Sequence, residues 1–188
     1  MMKGWTLALV LLLSACSSSN TSKTYYQLPA MPDGVTSVEK TVNGQQLWLE
    51  HVSVADYLAN SGLVYQTNDV QYVIASNNLW ASPLDQQLQQ SLVANLSHGM
   101  PGWLVTAQPQ GSEQSVLNVS VTAFHGRYDG KAVISGEWVL NHHGQVFKQP
   151  FNVVLPQSED GYDALVRTLA QGWQQVANSI ARQAVSVN

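Results

Sequence analysis

The strongest constraint on the fold lies between residues 115 and 155, where three long β-patterned segments follow one another with turn chemistry between them. In "SVLNVSVTAFHG", Leu117, Val119, Val121 and Ala123 occupy alternate positions, the spacing that places side chains on one face of a strand. "KAVISGEWVLN" and "QVFKQPFNVVL" supply the next two strands. Tyr128-Asp129-Gly130-Lys131 and Asn141-His142-His143-Gly144 connect them, and Gly, Asn and Asp tolerate the positive φ that tight hairpins demand. Pro150 has no amide to offer a second neighbour, so the third strand is expected at a sheet edge or at a bulge. Such a meander is apolar on one face and needs a cover.

Two helices can supply it. From about Asp160 to Ala184, the residues Tyr162, Leu165, Val166, Leu169, Trp173, Val176, Ile180 and Ala184 recur at three and four. Glu159, Asp160 and Asp163 sit at the positive end of this helix and Arg182 near its negative end. The other helix is "ASPLDQQLQQSLVANL". Ser82 is expected as N-cap, Pro83 as first helical residue and Asp85 as a capping-box acid. Leu84, Leu88, Leu92 and Leu96 form its apolar stripe with Val93, and Gly99 and Pro101 end it. Further strands are expected at "QQLWLEHVSV", at "GWLVTAQ", and as a pair around Thr67-Asn68-Asp69 in "GLVYQTNDVQYVIA". The expected class is α+β: two helices packed on a mostly antiparallel β-sheet, an α/β sandwich.

The chain begins differently. Lys3, the apolar run Trp5 to Leu13 and the small pair Ser14-Ala15 have the three parts of a secretory signal. The run is about half the roughly twenty residues that span a bilayer, so a permanent anchor of that kind is not expected. Cys16 is the only cysteine in the chain. An unpaired thiol in an exported protein calls for modification, and Leu13-Ser14-Ala15-Cys16 resembles the lipobox of bacterial lipoproteins. That resemblance implies a diacylglycerol on the thiol and, after cleavage, an acyl chain such as palmitate on the new amine. Two or more buried acyl chains anchor stably where one does not. Ser17, in place of an inner-membrane retention Asp, resembles the signal for transfer to the outer membrane, facing the periplasm. Residues 1–15 are therefore expected as signal peptide, 16–40 as lipidated N-terminus and flexible tether, and 41–188 as one domain. Within the tether, Ser17 to Thr24 is small and polar, and Thr24 to Lys40, with Pro29, Pro32 and Gly34, reads as extended and irregular.

Only 11% of residues are charged, the net charge is −4, and no Lys/Arg cluster occurs. Nucleic acid is not an expected partner, nor is electrostatic docking to anionic headgroups. Five histidines raise a metal reading. However, His142 and His143 fall in a turn, and His51, His98 and His125 lack helical pairing, so all five are expected as turn or surface rings. Glu159, Asp160 and Asp163 fit a helix start better than acid–base work. No nucleophile elbow and no phosphate-binding glycine loop is present. Trp48, Trp138 and Trp173 fit core or sheet positions. No cofactor is expected beyond the covalent lipid on Cys16, and the chain is not expected to be an enzyme.

The stretches "YYQLP" (Tyr25 to Pro29), "VADYLANSGLVYQ" (Val54 to Gln66) and "NNLWASPLDQQLQQSLVANL" resemble the ABC-type transport auxiliary lipoproteins, as do "FHGRYDGKAVISGEW" and "EDGYDALV". The resemblance implies an α/β sandwich serving, without catalysis, an MCE-type intermembrane lipid transport system. Its partner would be a periplasm-spanning MCE tube, and several copies would form a homo-oligomeric ring. Tyr57, Asn60, Ser61, Gly62 and Tyr65, between two expected strands, are the candidate assembly or partner contacts. A plain strand connection is the alternative there. For the whole chain, a monomeric periplasmic lipid- or metabolite-binding module and an outer-membrane regulator of cell-wall enzymes remain open.

Overall fold

The computed structural model describes residues 22–29, 44–111 and 113–186. In chain order the elements are β1 (Thr24–Tyr26), β2 (Gln45–Val54), a 3-10 turn (Asp56–Leu58), β3 (Gly62–Gln66), β4 (Tyr72–Trp80) and α1 (Leu84–Gly99). They are followed by β5 (Trp103–Thr106), β6 (Ser115–Arg127), β7 (Lys131–His142), β8 (Gln145–Pro156) and α2 (Tyr162–Ser186).

The meander is the spine. β6 pairs antiparallel with β7 along nearly its whole length, and β7 with β8. The β7–β8 link is a two-residue turn, with His143 at φ 48° and Gly144 at φ 79°, the conformation that matches strand twist. At the other hairpin Gly130 takes φ 74° and donates its amide to the Arg127 carbonyl at 2.9 Å. Among the described residues β8 pairs only with β7, so Pro150 does lie on an edge strand.

The other edge of β6 is shared by two strands. β2 runs parallel to its first half, Leu47 opposite Ser115 through Val54 opposite Val121. β3 runs parallel to its far end, Tyr65 opposite Gly126. β2 and β3 thus lie end to end, joined by the 3-10 turn, and the sheet forks there: β5 adds outside β2, while β4 and then β1 add outside β3. The long ladders of the meander keep the sheet mostly antiparallel, but the pairs β1–β4, β2–β5, β2–β6 and β3–β6 are parallel.

Both helices cover one face. Leu84, Leu88, Leu92 and Leu96 of α1, and Leu165, Leu169, Trp173, Val176 and Ile180 of α2, are buried against Leu47, Leu49, Leu117, Val119, Phe124, Ile134, Trp138 and Leu140. The Trp173 indole donates to the Leu88 carbonyl at 3.1 Å, tying the helices together inside the core. Gly172 lets α2 approach the sheet, since a Cβ there would run into Ile134. On the opposite face no helix packs among the described residues. It carries polar cross-strand pairs instead: Asn118–Glu50 at 2.8 Å, Ser135–Asn152 at 2.8 Å and Lys148–Glu137 at 2.9 Å.

Three local expectations change. Helix α1 begins at Leu84, with Pro83 as N-cap at φ −50°, ψ 135° and no side-chain capping bond, so neither Ser82 nor Asp85 caps it. The Gln87 side chain ties this end of the helix to its surroundings without capping it, donating to the Ser82 carbonyl at 2.9 Å and accepting from the Leu28 amide at 2.8 Å. Thr24–Tyr26, in the stretch read as irregular, forms a strand beside β4, and Leu28 enters the core. His125 and His142 are 2% and 5% exposed, neither surface rings nor turn residues. Trp138 and Trp173 are core residues and Trp48 lies on β2, as expected; Trp48 is partly buried, and its indole N–H has no partner among the described residues.

Candidate functional site

Among the described residues no three His, Cys, Asp or Glu side chains come together as a metal site. One pair has the look of a catalytic dyad: Ser115 Oγ lies 2.6 Å from His142 Nδ1. Both residues are at most 5% exposed, and the other rings around His142 are Trp103 at 6.2 Å and His143 at 4.3 Å. No carboxylate orients the imidazole among the described residues, and burial pushes its pKa down, as does His143, so it is held neutral. A nucleophile needs substrate access and an oriented base, and Ser115 has neither. The bond satisfies two buried polar groups.

The candidate contacts divide between the two faces of the sheet. Tyr57 sits in the 3-10 turn, half-buried, and donates its hydroxyl to the Thr122 carbonyl at 2.8 Å. Its ring packs 5.1 Å from Tyr72 and 6.4 Å from His125, and Tyr72 meets His125 edge-on at 5.1 Å. Burial, with the neighbouring Tyr72 hydroxyl as the lesser cause, pushes the Tyr57 phenol up to about 12. Burial also lowers His125, against the opposing pull of its bond to the Gly126 carbonyl. This three-ring cluster lies on the helix-free face.

Asn60 stays with Tyr57, its amide reaching the Tyr57 carbonyl at 3.4 Å. Ser61 accepts from the Trp80 amide at 2.6 Å through its backbone carbonyl. Gly62 opens β3 where a Cβ would collide with the Ala75 carbonyl, so the glycine is required by close strand approach. Tyr65 lies on the other face. Its ring covers Gly126 and, with Gly130, Gln157, Gly161, Tyr162 and Leu165, lines a cavity of about 270 Å³ beside the start of α2. Tyr57, Asn60 and Ser61 therefore form one exposed corner, and Tyr65 belongs to a separate hollow. Cys16 lies outside the described residues.

Two features escaped the sequence reading. Gln87 interrupts an otherwise leucine-rich stripe, and a polar residue on a buried stripe signals an internal hydrogen bond. Tyr72, Val73 and Ile74 are 45%, 54% and 43% exposed on the outer side of the fork. Their sequence signal is a run of apolar residues without alternation, apolar toward both faces.

The sequence profile of the ABC-type transport auxiliary lipoprotein component matches residues 26–181. The intermembrane transport lipoprotein PqiC of Escherichia coli K12 is 56% identical over 183 residues, 97% of each chain, and the PqiC of Shigella flexneri is equally similar. A solved structure of an uncharacterized protein, 60% identical, superposes with a TM-score of 0.79 over 87% of this chain and 99% of its own. A Xanthomonas campestris protein, 20% identical, shares the fold at a TM-score of 0.65 over 88% of this chain and all of its own. A sheet forked at β6, two helices on one face and a match spanning both helices leave one assignment: the chain belongs to the ABC-type transport auxiliary lipoprotein family.

Proposed function

We propose that this chain is a non-catalytic lipoprotein of an MCE-type intermembrane lipid transport system, docking a PqiB-like, periplasm-spanning tube at the outer membrane. The observation that carries the reading is 56% identity to PqiC along 97% of both chains, with no large insertion or loss to hold a different activity. Residues 1–15 act as signal peptide. Cys16 carries the diacylglycerol and N-acyl chains that fasten the protein to the periplasmic side of the outer membrane, and residues 41–188 are the working domain. Several copies form a ring around the end of the tube, with the corner of Tyr57, Asn60, Ser61 and Gly62, and the Tyr65 hollow, as contacts to a neighbouring copy or to the tube.

Affinity capture of the full chain from cells carrying its membrane and MCE partners tests the central point. Recovery of the MCE protein, and light scattering that reports a multimer, is the expected result. A monomer that retains bound lipid, or capture of a cell-wall synthase instead, refutes it. For the anchor, Cys16→Ala leaves an unprocessed precursor off the outer membrane. Normal fractionation of that variant would overturn the lipoprotein assignment.

A further inference from the structure

One end of the molecule carries most of its exposed apolar side chains, beside the Arg127–Asp129–Lys131 ion pairs of the β6–β7 turn. β6 and β3 run toward it, and the β3–β4 tip and the β6–β7 turn both lie there. Six of the nine exposed large apolar residues gather at the same end: Val70 at 77%, Tyr72, Val73 and Ile74 on the β3–β4 hairpin, Tyr128 on the β6–β7 turn and Val154 on β8, while Tyr25 on β1 lies away from it, opposite Leu79. At the opposite end, only Val146 and Val185 are comparably exposed among the described residues.

β1 runs parallel to β4 with Thr24 opposite Asn78, so Ser22 and Lys23 lead into it from the Tyr72 side of that row. From Asn78 back to Tyr72 is about 20 Å along the strand. Whatever path it takes, the chain from Cys16 to Thr24 spans at most about 28 Å. With this end toward the membrane, an anchor at Cys16 can sit no more than roughly 8 Å beyond the Tyr72 row. The protruding tip fills that distance.

We infer that the β3–β4 tip is a membrane-seating surface, with Val70, Tyr72, Val73 and Ile74 resting in the interfacial layer of the leaflet that holds the Cys16 lipid. This seating rests on the acylation of Cys16 proposed above. The tip is prepared for a poorly hydrated layer because its backbone is satisfied internally. Asn68 Oδ1 accepts from the amides of Val70 at 3.0 Å and Gln71 at 2.9 Å, and the Thr67 amide donates to the Gln71 carbonyl at 2.9 Å. Desolvating the tip therefore strips few unpaired amides. Tyr72 suits the headgroup boundary, where aromatic side chains with a polar end collect. Two features limit the depth. Asp69 stays among the headgroups, and the outer edge of β4 above Asn78 leaves backbone groups that hydrocarbon cannot satisfy. The seat is shallow, and it orients the body relative to the leaflet as a tether alone does not.

The test uses the mature acylated protein in vesicles of phosphatidylethanolamine and phosphatidylglycerol that carry a nitroxide-labelled lipid. With Cys16 acylated, an introduced cysteine is the sole free thiol for an environment-sensitive fluorophore. Probes at Val70→Cys and Val73→Cys are expected to be quenched several-fold more by the lipid nitroxide than a probe at Val146→Cys. A Val70 probe that remains open to aqueous iodide and unquenched by lipid overturns the inference. So does shielding from iodide without lipid quenching that grows with the protein-to-lipid ratio, which assigns the tip to a second copy. Intact mass separates the two readings. Protein lacking acyl chains removes the anchor and the seat together, while acylated protein with a wet tip removes only the seat.

Discussion

Gln87 is where the strand nearest the N-terminal tether is fastened to the helical layer, and its replacement by methionine isolates that fastening. Methionine nearly preserves volume and helix propensity, so packing is little changed. What is lost is an acceptor for the Leu28 amide and a donor to the Ser82 carbonyl. The two losses are unequal. Ser82 is only partly buried and water can replace its partner, whereas Leu28 is 7% exposed and Gln87 3%. The orphaned Leu28 amide should dominate, at about 1–3 kcal/mol. With a urea m-value of about 1–3 kcal/mol/M, the unfolding midpoint falls by about 1 M with its slope unchanged. β1 pairs through only three residues, so the cost also has a local outlet: the segment can detach rather than bear the loss. Hydrogen exchange at the amides of Tyr25 to Leu28 should accelerate more than in the β6–β7 ladder. Gln87→Glu keeps the acceptor for Leu28 but sets a buried carboxylate against the Ser82 carbonyl, so Leu28 protection should persist relative to the β6–β7 ladder even though the midpoint falls. An unchanged midpoint with unchanged Leu28 protection in Gln87→Met would refute the reasoning.

The remaining expectations concern acid, close strand contacts and the Tyr57 corner. Burial lowers the folded pKa of His125 and His142, so the unfolded chain binds more protons once the pH drops below the ordinary histidine value of about 6.5. Stability is full above that value and is lost as the pH falls through the depressed folded values. Urea midpoints between pH 7.5 and 5 should decline, and less so in His142→Asn; a flat profile contradicts the burial argument. Gly62→Ala and Gly136→Ala place a Cβ against the Ala75 and Ser120 carbonyls, so each should cost about 1–3 kcal/mol or more by thermal unfolding. Gly130→Ala meets open space and should cost only about 1 kcal/mol, for its positive φ. Tyr57→Phe keeps the ring contacts with Tyr72 and His125 and loses the bond to Thr122, whose exposure admits water, so about 0.5 kcal/mol is expected. Loss of multimer in Tyr57→Phe at unchanged stability would assign the hydroxyl to assembly.

The parts of the fold legible in the sequence are those whose pairing is local. β6, β7 and β8 are joined by hairpin turns that carry their own chemistry, and α2 declares itself by a long apolar stripe. Parallel pairing leaves no such mark. Nothing between Val54 and Gly62 announces that β2 and β3 will share one edge of β6, because that depends on a partner some sixty residues downstream. His125 shows a subtler limit. Counted by twos from Leu117 it should face the helices, but an irregularity between Val121 and Ala123 shifts the parity, so Phe124 turns inward and His125 outward. It is buried all the same, because Tyr57 and Tyr72 arrive from separate segments to cover it. Of the candidate contacts, Gly62 proved a packing requirement and Tyr57 an anchor of the turn, which strand patterning alone does not distinguish from an exposed loop.

The fork also bears on how the proposed contacts would work. The chain from Ala55 to Gly62 bridges two strands that lie end to end, and it is held at both ends. Ala55 donates to the Val121 carbonyl at 2.9 Å, and Trp80 donates to the Ser61 carbonyl at 2.6 Å. Tyr57 is pinned between them by its hydroxyl and its ring contacts. A partner meeting this corner encounters a surface already ordered, and little conformational entropy remains to be lost on binding. The same rigidity carries the corner's position through β3 and β4 to the apolar tip, since Gly62 packs onto β4 and Gln66 pairs with Tyr72. If the tip rests on the leaflet, the height of the Tyr57 corner above the membrane is set by the length of one hairpin. A multimer built from such copies would hold every contact corner in one plane, the geometry that the proposed docking would require.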